Sequence, residues 1–176
     1  MHYVGISKEN DSLHRLFETG HKARTAILTN ERQLSPDSRV SDELILFMFR
    51  VEPSVFETNI TEEDVDALWF EQSQLPEQKA YAADAEKALV KIMNSQYNEK
   101  KFPSYPKGAD GLYGKGFDRY CFHFEELIEF FTDNCSIRGG KIFGDNQPDL
   151  ILIEGDKVEL ISTSEMNTSS GSQTES

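Results

Sequence analysis

The chain has 176 residues, 38% of them hydrophobic, with 18 Lys and Arg against 31 Asp and Glu and a net charge of −13. The length suits one domain with a buried core, and the charge excludes a protein that simply coats nucleic acid. Two cysteines, Cys121 and Cys135, are too few for a disulfide framework and lack metal-ligand spacing, so a reducing, cytoplasmic setting is expected.

His2 to Ile6 reads as a short strand around Tyr3 and Gly5. Asn10 or Ser12 caps a predicted helix with Leu13, Leu16 and Phe17 on its apolar side, and Gly20 stands where a glycine stop belongs. A second helix is expected over about 21–31, followed by a loop at Ser35 to Ser41. Leu44 to Phe49 is apolar at every position, which predicts a strand buried on both faces at the centre of a sheet. This longest strongly apolar run falls far short of the ~20 residues that span a bilayer, and the start lacks the pattern of a leader peptide. A protein without membrane association is expected.

Thr61 with Glu62, Glu63 and Asp64 is an N-cap and acidic first turn, with Val65, Leu68 and Trp69 as the buried side. A further helix is expected over about 82–97. Residues 99–120 read as loop, and Phe122 to Thr132 reads as helix through Leu127, Ile128, Phe130 and Phe131. Strands are expected at 141–144 and in 149–161, where Gly155-Asp156 suits a tight hairpin turn. From Ser162 the Ser, Thr, Gly, Gln and Glu composition predicts a disordered tail. The expected architecture is one α/β (α+β) domain over residues 1–161, a small central sheet flanked by helices with a C-terminal β-hairpin, and the tail 162–176.

Glu86 is the first candidate for chemistry. On a helix its neighbours at three and four residues are Ala82, Ala83, Leu89 and Val90, so the carboxylate is ringed by apolar groups and needs compensation. A metal, a cleft or a structural Lys or Arg would each supply it. The second candidate is the basic loop 99–120, where Lys100, Lys101, Lys107, Lys115 and Arg119 alternate with Phe102, Tyr105, Tyr113, Phe117 and Tyr120. Cations interleaved with aromatics suit phosphate contact and base stacking, and equally an irregular lid over the core. The histidines His2, His14, His21 and His123 form no metal-ligand pattern.

The run Ala85-Glu86-Lys87-Ala88-Leu89-Val90-Lys91-Ile92, with Tyr97-Asn98 and Phe102-Pro103 after it, resembles a segment of the GIY-YIG endonuclease superfamily. Tyr3-Val4-Gly5-Ile6-Ser7 resembles that family's tyrosine-aliphatic-glycine strand, and the likeness covers about residues 2–103. It implies a GIY-YIG-like fold and a magnesium-dependent hydrolase that cuts phosphodiester bonds. Glu86 would bind the single divalent metal, and Tyr3 would act as base. Arg15, with His21 as companion, would contact the scissile phosphate, and Asn98 would hold the site together. The substrate expected is nucleic acid, DNA rather than RNA, with Lys22, Arg24, Lys100, Lys101, Lys107, Lys115 and Arg119 as its contacts. The family's first signature strand has no counterpart ahead of Tyr3, so it is missing or is replaced from elsewhere, such as the 150–161 hairpin.

The rival expectation is a non-catalytic, acidic interaction protein of decayed-nuclease, inhibitor or immunity type that binds a basic partner. Residues 1–50 carry seven charges of each sign, whereas residues 51–100 carry four cations against eleven acids. The acid is therefore concentrated in the middle of the chain, and the N-terminal part can face a phosphate.

Overall fold

A computed structural model describes residues 1–6, 17, 20–51, 77–117, 119–142 and 145–162. The helix predicted from Thr61, the strand residues 143–144, the tail from 163 and, apart from Phe17 and Gly20, the helix predicted around 13–20 lie outside these.

Helix α1 spans Lys22–Asn30, a short helical turn α2 spans Val40–Glu43, and α3 spans Gln78–Met93. The α3 sequence is rich in alanine, which loses no side-chain entropy in a helix. Its last turn is closed by Asn94 in the left-handed conformation, donating its N–H to the carbonyl of Val90 at 2.9 Å. Half of its sixteen residues are buried, and Lys79, Ala82, Glu86 and Leu89 line up on a less buried stripe.

Five strands follow: β1 Arg119–Phe122, β2 Glu129–Phe131, β3 Ser136–Arg138, β4 Leu150–Glu154 and β5 Lys157–Ile161. They form a three-stranded sheet in the order β1-β4-β5 and a two-stranded sheet β2-β3, all antiparallel. The predicted hairpin is present: Glu154 pairs with Lys157, leaving Gly155 and Asp156 as the turn. Ile151 and Ile153 of β4 point into the core with Tyr81, Ala85 and Ala88 of α3, Leu112, Tyr120 and Ile137. The chain is thus a mixed α/β structure.

Several expectations are corrected. His2 to Ile6 is not a strand, and residues 141–142 of the strand expected at 141–144 are in none. Leu44 to Phe49 is not a buried central strand. Residues 44–51 join no sheet, and Ile45 is 73% exposed, with Leu46, Phe47 and Met48 exposed beside it. The central strand is β4, whose alternating burial needs only one fully apolar face. Nor is Phe122 to Thr132 a helix. Phe130 pairs with Ile137 across β2-β3, and Gly139 and Gly140 donate N–H groups to Ile128 and Phe124. Aromatic residues favour pleated surfaces, and the apolar spacing at 127–131 fits either period.

Candidate functional site

The N-terminal segment is held by residues 97 and 98. Tyr97 donates its backbone N–H to the carbonyl of His2 at 2.8 Å. The Asn98 carboxamide takes the N–H of Val4 at 2.9 Å and returns its own N–H to the Val4 carbonyl at 2.7 Å. Ser95 Oγ donates to the same Asn98 oxygen at 2.6 Å, which fixes the orientation of the amide. Asn98 therefore acts as one residue of a neighbouring strand.

Tyr3 lies between these anchors. Its ring folds back over Gly5, where any Cβ would lie 2.6 Å from Tyr3 Cε1, so a larger residue there would displace the ring. The other side of the ring meets His21 edge-on, with centroids 5.0 Å apart and planes at 73°. His21 is the N-cap of α1, its Nδ1 accepting the N–H of Arg24 at 3.3 Å. An accepting Nδ1 leaves the hydrogen of the neutral ring on Nε2. At the other end of α1, Glu31 accepts the Tyr97 hydroxyl at 2.7 Å and lies 3.5 Å from His2 Nδ1. That bond holds the Tyr97 hydroxyl above the usual tyrosine range.

The structure thus brings together three of the residues singled out in the sequence: Tyr3, His21 and Asn98. Arg15 lies outside the described residues. Glu86 is half-buried on the less buried stripe of α3 and is engaged by another group. Among the described residues no three His, Cys, Asp or Glu side chains converge as a metal cage would require. A single carboxylate fits only an ion that keeps most of its waters, as magnesium does.

The most deeply shielded carboxylate on α3 is Asp84, two residues before Glu86. It is 0% exposed. Its Oδ2 accepts the hydroxyls of Tyr105 and Tyr120, each at 2.8 Å, and its Oδ1 accepts the N–H of Leu112 at 3.1 Å. Burial first, and then the neighbouring carboxylate, push both phenols far above the usual tyrosine range. Gly111 passes so close that a Cβ there would overlap Asp84 Oδ1. One turn on, Lys87, with its side chain 6% exposed, reaches Asp110 at 2.5 Å. By its helix neighbours Asp84 does not stand out in the sequence as Glu86 does, because Lys87 accompanies Ala80, Tyr81 and Ala88 at three and four residues. The two tyrosines that satisfy it lie 21 and 36 residues away.

This network sets the course of the basic loop, whose cations are differently placed. Lys107 pairs with Asp156 at 2.7 Å, and Tyr113 donates to the same carboxylate at 2.7 Å. Lys101 turns inward onto the carbonyls of Ser95 and Gln96. Arg119 lies 4.0 Å from Glu154 on the paired strand. Lys100 and Lys115 are exposed, as is Lys22 on α1. Arg24 sets its guanidinium 5.0 Å over the Phe17 ring, with its Nε buried and without a hydrogen-bond partner.

No helix among the described residues is long and apolar enough to cross a membrane. Comparison with known proteins finds no matching family model, no matching curated protein and no matching solved structure.

Proposed function

We propose that the chain is a GIY-YIG-like phosphodiester hydrolase acting on nucleic acid, with its site at the corner where Tyr3 meets His21. The observation that carries this reading is the clamp of Asn98 on Val4, which holds the Tyr3 segment beside the N-terminus of α1. In this reading Tyr3, as a phenolate whose own proton has gone to solvent, takes the proton of the attacking water. His21, through Nε2–H, donates a hydrogen bond to a phosphate oxygen, and the N-terminal end of α1 favours the same negative charge. Glu86 would hold a hydrated magnesium ion, which neutralises charge developing on the phosphate. Lys22, exposed in the first turn of α1, supplies a further cation for the backbone of DNA.

The test is magnesium-dependent cleavage of plasmid, single-stranded DNA and RNA by the wild type, Glu86→Ala and Tyr3→Phe. Cleavage by the wild type, reduced by about two orders of magnitude or more in each variant, is the expected result. Cleavage that survives Glu86→Ala, or none by the wild type, overturns the proposal.

A second reading, a non-catalytic acidic protein that binds a basic partner, has its own support. Asp156 and Glu154 lie against Lys107 and Arg119, so part of the basic loop is neutralised within the fold. With a net charge of −13, the remaining field favours a cationic protein over a polyanion.

A further inference from the structure

Ile45, Leu46, Phe47 and Met48 are consecutive, large and exposed, yet they lie in neither a helix nor a strand. They make no backbone hydrogen bond to another described residue. The segment is nevertheless anchored. The Phe47 ring meets Phe130 edge-on at 5.2 Å, and the Phe49 ring packs against Phe124 at 4.8 Å. It therefore offers a fixed apolar stretch whose backbone groups pair with none of the other described residues, which is the condition for adding a strand.

The charge around it selects the occupant. Phe124 is followed by Glu125 and Glu126, and Phe130 is preceded by Glu129; all three acids are exposed. Glu129 is drawn toward Arg138 at 3.9 Å, whereas Glu125 and Glu126 enter no ion pair among the described residues. A second copy of this chain would bring its own acids against them. A nucleic acid would be repelled by them.

We propose that Ile45–Met48 is a docking edge for an extended protein segment in which apolar and basic residues alternate. Its backbone pairs with the segment, its apolar side chains meet Ile45 to Met48, and its cations meet Glu125 and Glu126. The inference deepens the reading of the chain as an acidic interaction protein and rests on it.

The probe is a fluorescein-labelled synthetic peptide of alternating valine and lysine, titrated with the full chain and followed by anisotropy. Saturable binding is expected. Phe47→Ser combined with Met48→Ser is expected to weaken it about tenfold or more, as is Glu125→Lys combined with Glu126→Lys. These side chains are exposed, so circular dichroism should show both variants folded. A valine-glutamate peptide and a single-stranded DNA should not compete. Binding that is undiminished in the Phe47/Met48 variant overturns the assignment of this edge while leaving a basic partner in place. Failure of the peptide to bind at all overturns both the edge and the reading beneath it. A dimer in sedimentation that the same substitutions dissolve would replace the peptide with a second copy and overturn the proposal.

Discussion

The side chain of Asn98 grips the backbone of Val4 at both of its polar groups, 2.9 Å to the N–H and 2.7 Å to the carbonyl. A carboxamide has one acceptor and one donor face, so it can satisfy an extended residue as a strand neighbour would. Across 94 residues of sequence this contact, with the Tyr97 to His2 backbone bond, fixes where Tyr3 stands.

Asn98→Asp keeps the acceptor and places a carboxylate against the Val4 carbonyl. It should cost about 2–3 kcal/mol, because one hydrogen bond is lost and a repulsive contact is added. Asn98→Ala removes all three hydrogen bonds of this side chain and should cost at least as much. Urea denaturation gives the energies, and amide exchange at Val4 reports whether the segment has come free. An unchanged Val4 exchange rate in both variants would contradict the clamp.

Asp84→Ala should be the more damaging change, since it strands two buried hydroxyls and a backbone N–H. A loss of about 3–5 kcal/mol is expected, roughly 10 °C in Tm. Tyr105→Phe and Tyr120→Phe should each cost about 1–2 kcal/mol. The double variant should depart from additivity, because both phenols bond the same Asp84 oxygen. Strict additivity in that cycle would argue against a shared acceptor.

The same pair governs alkaline stability. Folding raises the pKa of Tyr105 and Tyr120, so their contribution is full below the ordinary tyrosine value of about 10 and is lost as pH climbs above it. Of the six tyrosines, at least these two should not ionise until the chain unfolds. Absorbance of phenolate, followed together with circular dichroism, should show a late step that coincides with unfolding. Ionisation of all six before any loss of structure would overturn the expectation.

Acid should act on the turn between β4 and β5. The hydrogen bonds from Lys107 and then Tyr113 hold Asp156 below the usual aspartate range. A depressed folded pKa means that the tether operates above the unfolded value of about 3.9 and is lost as pH falls through the folded one. Amide exchange over residues 107–117 should accelerate in that window, and Asp156→Asn should produce the same loosening at neutral pH. Both groups are exposed, so global stability should change little.

Much of the local structure followed from the sequence. The helix expected over about 82–97 forms at Gln78–Met93, about four residues earlier, because alanine-rich propensity starts it sooner and Asn94 closes it. The hairpin at 150–161 followed from two apolar runs around Gly155-Asp156. Tyr3, His21 and Asn98 entered as candidates only through the resemblance of their segments to the GIY-YIG superfamily, not from their local chemistry. What the chain did not disclose was which groups would meet. Leu44 to Phe49 has the composition of a buried strand, but burial depends on the neighbours available, and β4 took the central place. Phe122 to Thr132 fits either period until Ile137 pairs with Phe130. Local order is written in spacing and propensity, which act over a few residues. The burial of Asp84 beneath two distant tyrosines, and the grip of Asn98 on Val4, exist only once the chain has closed on itself, because a hydrogen bond depends on distance and not on position in the sequence.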